Sequence, residues 1–182
     1  DTEQTLLAEN PLFDAVRRWV APYDGNVRIE GDVQLVKDES EARKNYTMAD
    51  GVRVAVQLNA GELWAADIGA DDYTAKSLSQ TYLPNVPSKV ARVAVRKGDV
   101  LYFRVQSKFD GAWDEVLWNP VVTYLDQDTA TLDANKLAAR RFEAANEFVY
   151  AGRLTVMSMP FRGKLRIRGI LDKTAATTDD VA

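Results

Sequence analysis

Val52, Val54, Val56 and Leu58 alternate with Arg53, Ala55 and Gln57. A period of two is the mark of a strand with one buried face, because successive side chains leave a strand on opposite sides. Asn59-Ala-Gly-Glu62 then supplies turn residues, and Leu63-Trp-Ala-Ala-Asp-Ile68 runs back as the second arm of a hairpin. Whatever else the chain does, this segment has to lay an apolar face against a core.

The same reading extends in both directions. Trp19 to Ala21, the Pro22–Gly25 turn, and Val27, Ile29, Val33 and Leu35 follow a period near two, with Gly31 as a bend or bulge. After a loop rich in Gly, Asp, Ser and Pro, Val90, Val93 and Val95 form a further strand. Lys97-Gly98-Asp99 makes a tight turn into Val100–Gln106, and Val116–Tyr124 closes the set beyond a loop at Phe109–Glu115. Short strands at this spacing, without recurring helices, predict an all-β antiparallel sandwich, specifically a jelly roll. Residues 1–16 fit a short helical turn, an edge strand, or both in succession. Lys37–Asp50 reads as a long solvated loop. Asp126–Asn146 is alanine-rich, and Leu137, Arg140, Arg141, Phe142 and Glu143 fit one short helix capped by Asp133.

Pro22-Tyr-Asp-Gly-Asn-Val-Arg-Ile-Glu-Gly31 returns near the end of the chain as Pro160-Phe-Arg-Gly-Lys-Leu-Arg-Ile-Arg-Gly169. Proline, aromatic, glycine, aliphatic, arginine, isoleucine and glycine recur in register, which is the signature of a tandem array. The expected organisation is a sandwich module over 1–126, a connector over 127–147 and the truncated start of a similar module over 148–182. The 182 residues suit one domain of about 100–150 residues plus a remnant. Such a remnant has to pack on the first module, pair with a neighbouring chain or lie exposed.

Cysteine and histidine are both absent. That removes disulfides, zinc–thiolate sites, cysteine nucleophiles, the Ser-His-Asp triad and imidazole general bases from consideration. A net charge of −4 offers no electrostatic reason to expect nucleic acid. No apolar run approaches a membrane span, so membrane insertion is not expected either. Lys164, Arg166 and Arg168 share one face of a strand pattern and read as a solvated outer face.

Lys97-Gly-Asp-Val-Leu-Tyr-Phe-Arg-Val105 and Trp113-Asp-Glu-Val-Leu-Trp-Asn-Pro-Val-Val-Thr-Tyr124 resemble strands of β-jelly-roll modules in large secreted bacterial proteins. These include carbohydrate-binding-like modules of polysaccharide-degrading proteins. They also include tandem modules of the virulence-plasmid-B and insecticidal-toxin-complex families. The likeness covers about residues 94–124, supported by Pro22–Gly31. It implies an extracytoplasmic, non-enzymatic unit that adjoins further modules of the same polypeptide, with Trp118, Pro120 and Tyr124 as fold residues on the last strand.

Three sites follow as expectations. Exposed rings can stack on the C–H face of a sugar, and Trp113, Tyr73 and Tyr82 lie in loops, so they are the candidate glycan platform. Trp19, Trp64 and Trp118 lie on strands and read as core. Asp110, Asp114 and Glu115, with the Gly111 carbonyl, form the sharpest acidic cluster. Ca2+ takes six to eight oxygens and such a loop supplies about three or four, although the EF-hand spacing is absent. The same acids, Asp110 with Asp114 or Glu115, are the only sequence-local pair that could serve a glycoside hydrolase or lyase. A glycan-binding module and a purely structural spacer make different demands on the surface: the first needs an exposed aromatic platform, the second only a stable core.

Overall fold

The computed structural model describes residues 14–126 and 140–150. The recurrence at Pro160–Gly169, the basic face of Lys164, Arg166 and Arg168, the Asp133 cap with Leu137, the 174–180 tail and the segment 1–13 lie outside the described residues. Among the described residues twelve strands and two short helices run in the order β1 (Asp14–Val20), β2 (Gly25–Glu30), β3 (Asp32–Leu35), α1 (Glu41–Asn45), β4 (Val52–Leu58), β5 (Gly61–Ile68), β6 (Lys76–Ser77), β7 (Val93–Val95), β8 (Val100–Ser107), β9 (Val116–Trp118), β10 (Val121–Tyr124), β11 (Arg141–Glu143), α2 (Ala144–Glu147) and β12 (Val149–Tyr150).

The chain is an antiparallel β-sandwich. One layer is a five-stranded sheet in the order β12-β1-β8-β4-β5. The other is a four-stranded sheet, β11-β10-β2-β7, joined to a three-stranded one, β6-β3-β9. The division of this second layer has a local cause. β2 and β3 are one extended run interrupted at Gly31, and β9 and β10 are one run interrupted at Asn119-Pro120, opposite it. Gly31 has φ +131, and a Cβ there would come within 3.2 Å of the Pro120 Cα. Glycine and proline therefore bend both strands at the same level.

The valines of β4 face inward as their spacing requires: Val52, Val54 and Val56 are fully buried. Val27, Ile29, Val33 and Leu35 meet them from the opposite layer, together with Val122 and Tyr124, while Leu101 and Phe103 extend the same inner face from the adjacent strand β8. On the other face of the first sheet Ala55 lies between Ala65 and Arg104 in register, small enough to be closed off completely. Trp19 and Trp64 are core, as their strand positions predict, and Trp118 packs against the core while remaining partly exposed.

Two expectations are corrected. The stretch read as an open loop over 37–50 contains α1, which starts at Ser40, where the side chain accepts a hydrogen bond from the Arg43 N–H at 3.2 Å. Arg141, Phe142 and Glu143 are not part of a helix but form β11, with Val122 opposite Phe142. Tertiary packing decides this: the Phe142 ring sits 5.5 Å from Trp19 and 6.3 Å from Tyr124, which a strand position on the sheet edge permits. The helix starts only at Ala144. β12 then pairs with β1, so residues 141–150 add an edge to each layer. Among the described residues no helix is long and apolar enough to cross a membrane.

Candidate functional site

The segment from Val36 to Asp50 is anchored at one end of the sandwich around one buried cation. Arg43 is only 10% exposed, and its guanidinium donates to the carbonyls of Tyr46 and Ala70 at 3.3 and 3.2 Å and to the Asp71 carboxylate at 2.8 Å. An arginine fork suits this role because its donors are rigidly spaced and can serve several acceptors at once. Asp71 itself is largely exposed, so the ion pair is a tether at the surface rather than a buried salt bridge.

Trp113 closes the other side of the same assembly. It adopts a left-handed backbone conformation, φ 59, uncommon for a bulky side chain and a sign that its surroundings fix it. The indole N–H donates to the Asp38 carboxylate at 2.8 Å, the ring lies 4.7 Å from that of Tyr46, and the Arg43 guanidinium lies 5.9 Å from it. Hydrogen bonds from Ser40 and then from Trp113 hold the Asp38 carboxyl below the usual carboxylate range. Trp113 is thus a clamp on the α1 segment.

Between this clamp and the loop after β5 lies an open cleft of about 710 Å³. Its lining carries three cations, Lys37, Arg43 and Lys44, three anions, Asp38, Glu39 and Asp71, and the rings of Tyr46 and Tyr73. Charges of both signs balance, so the cleft offers donors and acceptors without favouring a charged ligand.

The sequence candidates are therefore separated. Tyr73 lines the cleft. Trp113 stands behind it, engaged by Asp38, Tyr46 and Arg43. Tyr82 is elsewhere, edge-on to Trp64 at 6.0 Å, accepting from the Ser77 N–H at 2.9 Å and donating to Gln80 at 2.8 Å. The three rings do not make one platform. The cleft residues that sequence reading missed are Arg43, Asp38 and Tyr46; the one available signal was Ser40 three residues ahead of Arg43, a helix-capping spacing.

The acidic trio is also divided by its surroundings. Asp110 is 4% exposed and accepts from the Tyr46 hydroxyl at 2.6 Å and the Ala112 N–H at 2.7 Å. Glu115 is exposed, and its carbonyl accepts from the Val36 N–H at 2.9 Å. Among the described residues no group of three acidic side chains is disposed to hold a metal ion, so Asp110, Asp114 and Glu115 are not gathered into one calcium ligand set.

Asp114 differs from both. Burial pushes its carboxyl up from 3.8 to about 6, and the negative charges of Asp50 and Asp110 add to the rise, against the pull of Ser107 and Lys108. A raised folded-state value means that the native chain holds more protons than the unfolded one between these two pH values, so stability falls as pH rises through that window. Asp114→Asn is therefore expected to be more stable than the parent at neutral pH by about 1 kcal/mol, after discounting for partial solvent exposure. The advantage should shrink to nothing below about pH 4. Urea midpoints measured against pH check this, and a parent whose stability rises from pH 4 to 7 as steeply as the variant's contradicts it.

Comparison with known proteins found no matching family model, no matching curated protein and no matching solved structure.

Proposed function

We propose that this chain is a non-catalytic binding module whose ligand is a neutral glycan held in the cleft between α1 and the loop after β5. The observation that carries the reading is the composition of that cleft: balanced donors and acceptors of both charges around two tyrosine rings, on a segment fixed by Arg43. Sugar hydroxyls need paired donors and acceptors, and sugar C–H faces need a ring. Tyr73 takes the stacking role, since Trp113 is already engaged on its indole N–H and against the Tyr46 ring. Such a module fits an exported, modular bacterial protein, the setting that the sequence resemblance implies.

Catalysis is disfavoured on the same grounds. The chain lacks histidine and cysteine, and of the one sequence-local acid pair Asp110 has both oxygens occupied by Tyr46 and Ala112. The purely structural reading draws support from a different observation, the use of Trp113 as an internal clamp rather than an open ring. A glycan array followed by calorimetry separates the two. Binding of a neutral oligosaccharide that falls at least tenfold in Tyr73→Ala, in a variant that remains folded by circular dichroism although it loses some core packing, is the expected result. A folded parent that binds no neutral glycan leaves only the spacer role.

A further inference from the structure

Among the described residues β9 is the edge of its sheet, with β3 on one flank and no strand on the other. The vacancy has a topological cause. β11 runs beside β10, with Phe142 opposite Val122, and its line continues only to the bend. There the Ala144 and Ala145 N–H groups donate to the Pro120 carbonyl and the Asn119 side-chain oxygen, each at 2.9 Å. The chain then crosses through α2 to pair as β12 with β1 in the other layer. β9 keeps an open flank.

The phase of the ladder fixes what that flank presents. The Val36 N–H donates to the Glu115 carbonyl at 2.9 Å, so in this antiparallel register the next bonded pair is Gln34 with Leu117. Val116 and Trp118 occupy the alternate positions, and their N–H and C=O groups point away from β3. Two donors and two acceptors thus line one edge, without a partner among the described residues. The side chains of Val116 and Trp118, with Phe103 and Val105 of β8 and Ala15 of β1, border a cleft of about 250 Å³ between the layers. Arg17, the cation in its lining, is engaged: its guanidinium donates to the Tyr150 hydroxyl at 2.8 Å. Leu117 faces the other way and is 57% exposed. Glu115 shares that side of β9, and Asp32 of β3 borders the same surface hollow as Leu117. Both acids are exposed, and neither has an ion-pair partner among the described residues.

We propose that the β9 flank is a docking edge for an extended segment of another polypeptide in which cations alternate with branched apolar residues. The backbone of the segment pairs with Val116 and Trp118, its apolar side chains enter the cleft against Phe103 and Val105, and its cations lie outward beside Glu115 and Asp32. Strand addition works in this way: main-chain bonds supply affinity and alternate side-chain pockets supply specificity. The size agrees, since a cavity of about 150 Å³ holds benzene and this one admits two aliphatic side chains. Any strand could satisfy the edge, and the two unpaired acids select a basic one. The edge shares no lining residue with the cleft beside α1, so neither reading depends on the other.

The probe is the synthetic peptide Thr-Arg-Val-Arg-Ile-Arg-Thr, titrated into the full chain at low salt and followed by amide NMR. It should shift the Val116, Leu117 and Trp118 resonances. Methylation of the peptide's Val and Ile nitrogens, which face β9, should weaken binding at least tenfold, whereas methylation of the central Arg nitrogen, which faces solvent, should change it little. The analogue with glutamate in place of all three arginines should not bind. Val116→Pro removes an edge donor that the sheet itself does not use and should weaken the basic peptide at least tenfold. Asp32→Lys with Glu115→Lys, both at exposed positions, should do the same with thermal stability unchanged, and should admit the acidic peptide. Equal binding of the two methylated peptides, equal binding of the basic and acidic peptides, unchanged binding in the doubly charge-reversed variant, or no response of Val116 to Trp118 to the basic peptide would each overturn the proposal.

Discussion

Gly51→Ala should destabilise the fold by about 3 kcal/mol or more, the sum of a left-handed backbone penalty of about 1–3 kcal/mol and a steric clash. Gly51 has φ +79, and a Cβ there would stand 2.1 Å from the Ile68 carbonyl oxygen and 2.8 Å from the Ala70 nitrogen. Both obstacles are backbone. Neither can withdraw cheaply, because Ile68 is fully buried and pairs directly with Val52, the residue after the glycine. Gly98 is the internal control: its φ of +92 imposes the same kind of strain, but nothing lies within 4 Å of its virtual Cβ. Gly98→Ala should therefore cost only about 1 kcal/mol. Chemical denaturation of the two variants checks the difference, and equal losses would show that the close approach at Gly51 is not real. The effect should also reach the cleft beside α1, since the Ala70 carbonyl is one of the acceptors that fix Arg43.

Trp64→Ala is the second large effect, about 3–5 kcal/mol. Trp64 is fully buried and packs 6.4 Å from Trp118 and 6.0 Å from Tyr82. Its indole N–H donates to the Gln80 carbonyl at 2.8 Å. Truncation leaves a cavity where β5 meets the loop that covers it and strips that carbonyl of its donor. Trp64→Phe fills most of the space and loses the hydrogen bond, so it should cost only about 1–2 kcal/mol. Urea unfolding of both variants measures the two contributions, and a Trp64→Ala loss below 1 kcal/mol would mean that the ring is not central to the core.

The sandwich was readable because its strands obey a period of two where one face is buried. Val52 to Leu58 and Val27 to Leu35 declare which side is inside before any tertiary contact is known. Gly31 announced its bend, and Trp19 and Trp64 announced their burial by sitting on strands. The cleft was not readable for the converse reason. Arg43 stands next to Lys44 in a charged stretch, and apart from the capping spacing of Ser40 nothing local separates it from Arg92, which stays exposed; only the arrival of Ala70 and Asp71 from far along the chain supplies its partners. Trp113 looked like an open platform because its loop is polar, yet that polarity includes Asp38, which captures its N–H. β11 misled because three residues are too few to show a period, and Phe142 gains its place from Trp19 and Tyr124.

The most direct test of the account is amide NMR of the intact chain titrated with the oligosaccharide that the array selects, followed by recovery of the sugar. The cleft reading predicts perturbations gathered at Tyr46, Asp71 and Tyr73, saturating with ligand, and an oligosaccharide returned at its original length. Perturbations centred instead on the opposite turn around Gly98, or a shortened sugar, would contradict it.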